Sequence, residues 1–152
     1  MARAQFQVLV FPYKFSHGKI YYAVFKRSDS DIWQGVSGGG ENDETPEDAA
    51  VRELYEEAGI SQTGELIRLQ TESSVPCYHF KSSIKWGEEL YVVREYSFGA
   101  EAGDSEIILS GEHECYLWAE YEEAIKLLTF DSNKTALWEL NNRLLNKKPW
   151  EK

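Results

Sequence analysis

Cysteine is scarce in this 152-residue chain: there are two, Cys77 and Cys115. They lie far apart and in no metal-ligand spacing. Two thiols cannot build a disulfide framework, so a reducing, cytoplasmic setting is the expectation. Long apolar runs are missing as well. No stretch nears the ~20 residues that a membrane-spanning helix needs. Residues 6–11 are apolar but few and interrupted by Gln7, which reads as a strand and not as a signal peptide. Positive charge is in deficit, with 16 Lys and Arg against 26 Asp and Glu, a formal net charge of −10. That argues against general affinity for a nucleic acid polymer. It also constrains any phosphate-bearing ligand, which can approach an acidic site only with cations between, so acidic clusters suggest divalent metal. There are no repeats, low-complexity tracts or linkers, and a single domain over 1–152 is expected.

What remains is ample for folding: 42% of residues are hydrophobic and 14% aromatic, well above the range of disordered chains. Alternation predicts strands near 6–10 and over 20–27, with a turn over 12–18 between them. Residues 32–36 read as a short extended piece, and Gly38-Gly39-Gly40 as a break in regular structure. The clearest helix is 45–58. Thr45 suits the N-cap and Pro46 the first turn. Glu47 and Asp48 complement the positive end of the dipole, and Gly59 stops the helix. Strands are expected over 66–75, 90–98 and 114–118. Residues 76–87 read as a long connection or a broken hairpin, and 100–111 as a loop. Helices are expected over 121–128 and 131–145, the latter with Leu137, Leu140 and Leu144 as its buried stripe. This order suggests an α/β layered domain with a mixed sheet.

On a wheel of 100° per residue, Ala50, Val51, Leu54 and Ala58 form the core face of helix 45–58. Glu53, Glu56 and Glu57 fall together on another arc, with Ala49 among them leaving space above. Like charges at these spacings repel by a few tenths of a kcal/mol per pair, and Arg52 is the helix's one cation. The row is either a solvated acidic face or a set of oxygens converging on a hard divalent ion. The glycines before it let backbone approach a ligand closely, which favours a metal and phosphate site.

At this point the residues match a known pattern. Gly38, five residues, Glu44, seven residues, then Arg52-Glu53-Leu54-Tyr55-Glu56-Glu57-Ala58-Gly59-Ile60 resembles a full Nudix box, with every fixed position and both aliphatic positions filled. The resemblance implies an α/β/α Nudix sandwich with a mixed β-sheet. It implies Mg²⁺, or Mn²⁺, held by Glu53, Glu56 and Glu57 with the Gly38 carbonyl, and Arg52 pinning the carboxylates. The implied reaction is attack of water on a diphosphate linked to a nucleotide-like small molecule. The general base varies in this family: Glu56, Glu57 or a glutamate from a distant loop. Homodimers are common in it.

The pair Glu112-His113 before an aromatic strand resembles the branch that includes dihydroneopterin-triphosphate and dATP pyrophosphohydrolases. There Glu112 would be a further ligand or base, its alternative being an ordinary loop carboxylate. His113 suits a supporting role better than ligation, since magnesium prefers oxygen. Ser37 stands where many Nudix proteins have proline, and that branch also tends to lack it. Lys26 and Arg27 could meet substrate phosphates or simply end a basic strand. Gly39 is a backbone contact for substrate. Asn133, on the apolar face of the last helix, either reads a purine or pterin edge or bonds within the helix start. Pro76 and Tyr78 lie roughly where ADP-ribose and dinucleoside polyphosphate hydrolases carry diagnostic residues, which keeps those activities as alternatives. A non-catalytic nucleotide-sensing module is the reading from another class. Such modules usually have degraded boxes, and this box is intact.

Overall fold

The run Val8-Leu9-Val10-Phe11 is buried on both sides, and that sets the architecture. Successive strand side chains point to opposite faces. Val8 and Val10 join one apolar core and Leu9 and Phe11 another. The computed structural model describes residues 3–61 and 64–151. Residues 1, 2, 62, 63 and 152 of the expected span lie outside them.

The central strand is β1 (Arg3–Ser16). Its end pairs antiparallel with β2 (Lys19–Arg27), and its body pairs antiparallel with β4 (Val36–Glu41). On its other side it runs parallel to β6 (Val92–Glu101), which is antiparallel to β5 (Leu66–Pro76). Beyond the hairpin, β2 pairs with β3 (Trp33–Gln34) and β7 (His113–Ala119). The result is a seven-stranded mixed sheet. Helix α1 (Pro46–Ala58) packs on one face through Ala49, Ala50, Leu54 and Ala58. Helices α2 (Tyr121–Leu127) and α3 (Asp131–Leu144) pack on the other through Ala124, Ala136, Leu137 and Leu140. This is the α/β/α sandwich. Each fully buried leucine contributes about 1.5–3 kcal/mol.

Four details differ from expectation. The turn at 12–18 shrinks to His17 and Gly18, with φ of 52° and 75°, because two positive φ values match the twist of a tight hairpin. β1 therefore runs through Pro12. Gly38, Gly39 and Gly40 do not break the chain but lie inside β4. A Cβ on them would overlap the Glu53 carboxylate, the Arg3 guanidinium and the Phe6 ring respectively. The glycines serve close approach within a strand, not a turn. On α1, Val51 is exposed and Ala49 buried. Small residues let the helix sit close to the sheet, so Ala49 lies under the glutamate row instead of leaving space above it. The segment 76–87, read as a long connection or a broken hairpin, joins the antiparallel β5 and β6 and holds two short 3₁₀ turns.

Helix α1 begins as its sequence dictates. The Thr45 side chain accepts a bond from the Asp48 amide at 3.1 Å, and Asp48 accepts from the Thr45 amide at 3.4 Å, a capping box. Gly59 closes the helix in the left-handed region at φ 67°. We predict that Thr45→Ala lowers stability by about 1 kcal/mol in urea unfolding. An unchanged midpoint would show that the cap is dispensable.

Candidate active site

Arg52 organises the acidic end of the molecule. Its Nε and Nη2 donate to the two oxygens of Glu44 at 2.8 and 2.9 Å. Nη2 also donates to the Gly39 carbonyl at 2.7 Å, tying α1 to β4. Nη1 donates to Glu53 at 3.0 Å and Glu56 at 3.1 Å. Glu44 is itself fixed, accepting the Glu41 amide at 2.8 Å. Bidentate guanidinium–carboxylate pairing of this kind gives direction as well as charge. It holds the Glu44 carboxyl below the usual carboxylate range.

Glu53 and Glu57 are each 8% exposed. Burial pushes the Glu53 carboxyl up to about 7, against the pull of Arg52 and aided by Glu56 and Glu57. Burial also raises Glu57, with Glu112 adding to the shift and the Ser110 hydroxyl and His113 opposing it. Negative charge is thus in excess where solvation is poor. Gly38 has no Cβ, and the Glu53 carboxylate lies directly against its Cα. The donors here are all oxygens, which suits a hard cation. Among the described residues, no three His, Cys, Asp or Glu side chains converge into a closed cage. Glu53 and Glu56 turn to Arg52, and Glu57 turns to Ser110. The set fits a divalent ion by chemistry, by burial and by the bare backbone at Gly38.

The loop before β7 completes this end. Its backbone is anchored on α1, with Ile108 N bonded to the Ala58 carbonyl at 2.8 Å and Ser110 N to that of Glu57 at 3.3 Å. It is tied to the end of β2 by Ser28 N to the Glu112 carbonyl at 2.9 Å. Glu112 is thereby brought beside Glu57. His113 is buried behind them, with Nδ1 3.9 Å from Glu57 and no hydrogen-bond partner on that atom. Burial lowers its pKa, so it sits as a neutral ring against Phe25 and does not face the cleft.

A cleft of about 770 Å³ opens beside this cluster, lined by Gly38, Arg27 and Glu112 and also by Gln7, Glu95 and Phe80. Arg27 borders it, held in two bonds to Asp29 at 3.0 and 3.1 Å. Lys26 does not. It alternates with Arg27 and is engaged by Glu114 and Asp31. Asn133 lines the cleft and is buried, but its Oδ1 accepts the Gly35 amide at 2.9 Å. The amide therefore ties α3 to the β3–β4 link and leaves Nδ2 with a single 3.4 Å contact to Ser132. Gly39 serves through its carbonyl on Arg52. Sequence reasoning missed Gln7, Ser73, Phe80 and Glu95. One signal was available: Glu95 alternates with Val93 and Ser97, and all three are buried.

The NUDIX domain family model matches residues 7–138. The chain belongs to the Nudix family. It is similar to the dihydroneopterin triphosphate diphosphatase of Haemophilus influenzae, at 28% identity over 74% of this chain and 72% of that protein. A NUDIX hydrolase structure from Listeria monocytogenes aligns at a TM-score of 0.84 and 40% identity, covering 94% and 96% of the two chains. The E. coli dihydroneopterin triphosphate pyrophosphohydrolase aligns at 0.70 and 25%, covering 93% and 99%. The protein is a Nudix pyrophosphohydrolase, and the box read from sequence is the strand–helix unit β4–α1.

A raised carboxyl pKa means that the folded state holds its proton more tightly than the unfolded chain. Stability is then lost as pH climbs from the unfolded value of 4.5 towards the folded value of about 7 for Glu53. We predict that the metal-free Nudix protein loses on the order of 3 kcal/mol through Glu53 over this window, and that Glu53→Gln flattens the profile. Urea midpoints measured from pH 4.5 to 8 check this; a flat wild-type curve contradicts it.

Proposed function

We propose that this Nudix enzyme hydrolyses a pterin or (deoxy)nucleoside triphosphate to the monophosphate and pyrophosphate. The observation that carries this reading is the placement of a buried carboxylate, Glu53, against the bare backbone of Gly38, with the buried Glu57 on the same helix, beside a cleft large enough for a heterocycle. The similarity to dihydroneopterin triphosphate diphosphatase over most of both chains supports the substrate class.

Glu53, Glu56 and Glu57, with the Gly38 carbonyl and Glu112, would hold Mg²⁺, with Mn²⁺ as a substitute. When bound, such an ion lowers the pKa of water and neutralises charge on the phosphates. The chain's own groups do the rest. Arg52 fixes the carboxylates through Glu44 and Gly39, so they need not reorganise during the reaction. Glu57 has its carboxyl raised by burial and by Glu112, which brings it towards the range of a useful proton acceptor. Glu112 borders both Glu57 and the cleft, and is the second candidate for that role. Arg27 stands at the same end and would meet substrate phosphate. The heterocycle would lie in the rest of the cleft, which Asn133 and Glu95 both line.

We predict that Glu57→Gln lowers kcat by at least about 10²-fold with little change in unfolding midpoint. A panel of dihydroneopterin triphosphate, dATP, ADP-ribose and Ap4A with Mg²⁺, read as pyrophosphate and monophosphate release, tests the substrate class. Turnover confined to ADP-ribose or Ap4A, or none at all, contradicts the proposal.

A further inference from the structure

Glu95 stands outside the box, linked to it only through Gln7, and has no part in the hydrolytic scheme above. It projects from β6 onto the sheet face that α3 covers, because its parallel partner Gln7 shares that face with Leu9 and Phe11. It lines the cleft, yet is 6% exposed. Among the described residues, no cation lies within ion-pair distance of it. Its partners are neutral: Gln7 Nε2 donates at 3.3 Å to one oxygen and the Ser73 hydroxyl donates at 3.3 Å to the other. Both bonds are long, and a carboxylate offers about four acceptor sites. Burial pushes its pKa up.

A buried, unpaired carboxylate is costly. A glutamine in its place would satisfy the same two neighbours without that cost. The carboxylate is also held in position. Gln7 donates to Ser37 at 2.9 Å and accepts from Arg3 at 2.9 Å, so its amide is fixed at both ends. The Arg3 guanidinium lies 4.4 Å over the Phe80 ring, which lines the same cleft and offers an aromatic wall. This is a pair of acceptors held in place at the wall of the cleft, with two bonds still to be made.

We propose that Glu95 reads the heterocycle of the substrate, accepting two parallel N–H bonds from a ring N–H and an adjacent exocyclic amino group. That donor pair, a ring N–H beside a 2-amino group, is common to guanine and the pterins. Adenine presents one donor and one acceptor there and leaves a carboxylate oxygen opposed to a ring lone pair. Two ligand N–H donors would favour the charged form that burial opposes. This assignment rests on the hydrolase reading for its substrate, but it concerns binding and needs no turnover.

The test is equilibrium binding of neopterin, guanosine and adenosine to the whole metal-free protein, wild type and Glu95→Gln. Neopterin and guanosine should bind wild type at least about tenfold more tightly than adenosine. In Glu95→Gln that ratio should fall to about twofold or less, because the amide NH₂ faces a ligand N–H. Its melting temperature should be equal to or above that of wild type, as expected where function is retained at a cost in stability. Equal or tighter adenosine binding by wild type overturns the proposal. So does no measurable binding of any of the three, or an unchanged ratio in the variant. The wild-type ratio stands as a test however well the variant folds. Guanosine or neopterin preference without triphosphate hydrolysis would remove the hydrolase reading and keep this one. Hydrolysis with no base preference would do the reverse.

Discussion

The Arg52 guanidinium is the contact on which the active end depends. It reaches Glu44, Glu53, Glu56 and the Gly39 carbonyl at once. Without it, helix α1 would bring a row of carboxylates against a strand with nothing to orient them. With it, the strand–helix unit is one electrostatic object whose side chains are fixed at both ends. The guanidinium also sets a limit. One positive charge cannot balance Glu44, Glu53, Glu56 and Glu57 together and leaves a surplus, and burial, with neighbouring carboxylates adding to it, raises the pKa of the two most buried members.

That surplus connects packing to chemistry. Ala49, Ala50 and the bare Gly38 allow α1 to lie close to the sheet, and this closeness is what buries Glu53 and Glu57. Larger residues would lift the helix, resolvate the carboxylates and weaken their attraction for a cation. The loop carrying Glu112 is bonded to the last turn of α1, so a fourth carboxylate is delivered by the same helix that carries the first three. The cleft is lined by Gly38 and Glu112 and also by Glu95, which projects on the sheet face that α3 covers.

The box was legible because it is local. The capping box, the glutamate spacing and the Gly59 stop all lie within 22 residues of sequence, and helical geometry converts spacing directly into arrangement. The layered fold was legible for a similar reason: the periods of residues 6–11 and 131–145 differ and mark sheet and helix. The glycines misled because glycine serves turns and close contacts alike, and only the Glu53, Arg3 and Phe6 side chains across the strand tell which. Lys26 and Arg27 could not be separated from sequence, since which face is the cleft depends on β7 and the loop before it. Glu95 carried only its alternation with Val93 and Ser97 as a signal, because its partners, Gln7 and Ser73, come from strands 88 and 22 residues away.

The central claim is that the carboxylates of α1 form a cation site whose charge excess is relieved by binding. Thermal unfolding at pH 8 against increasing Mg²⁺ measures it most directly, because a ligand that binds the folded state alone raises stability with the logarithm of its concentration. We expect the melting temperature of wild type to climb steadily from micromolar to millimolar Mg²⁺, and that of Glu53→Gln and Glu57→Gln to respond far less. A wild-type melting temperature indifferent to Mg²⁺, or variants that follow it equally, would contradict the account.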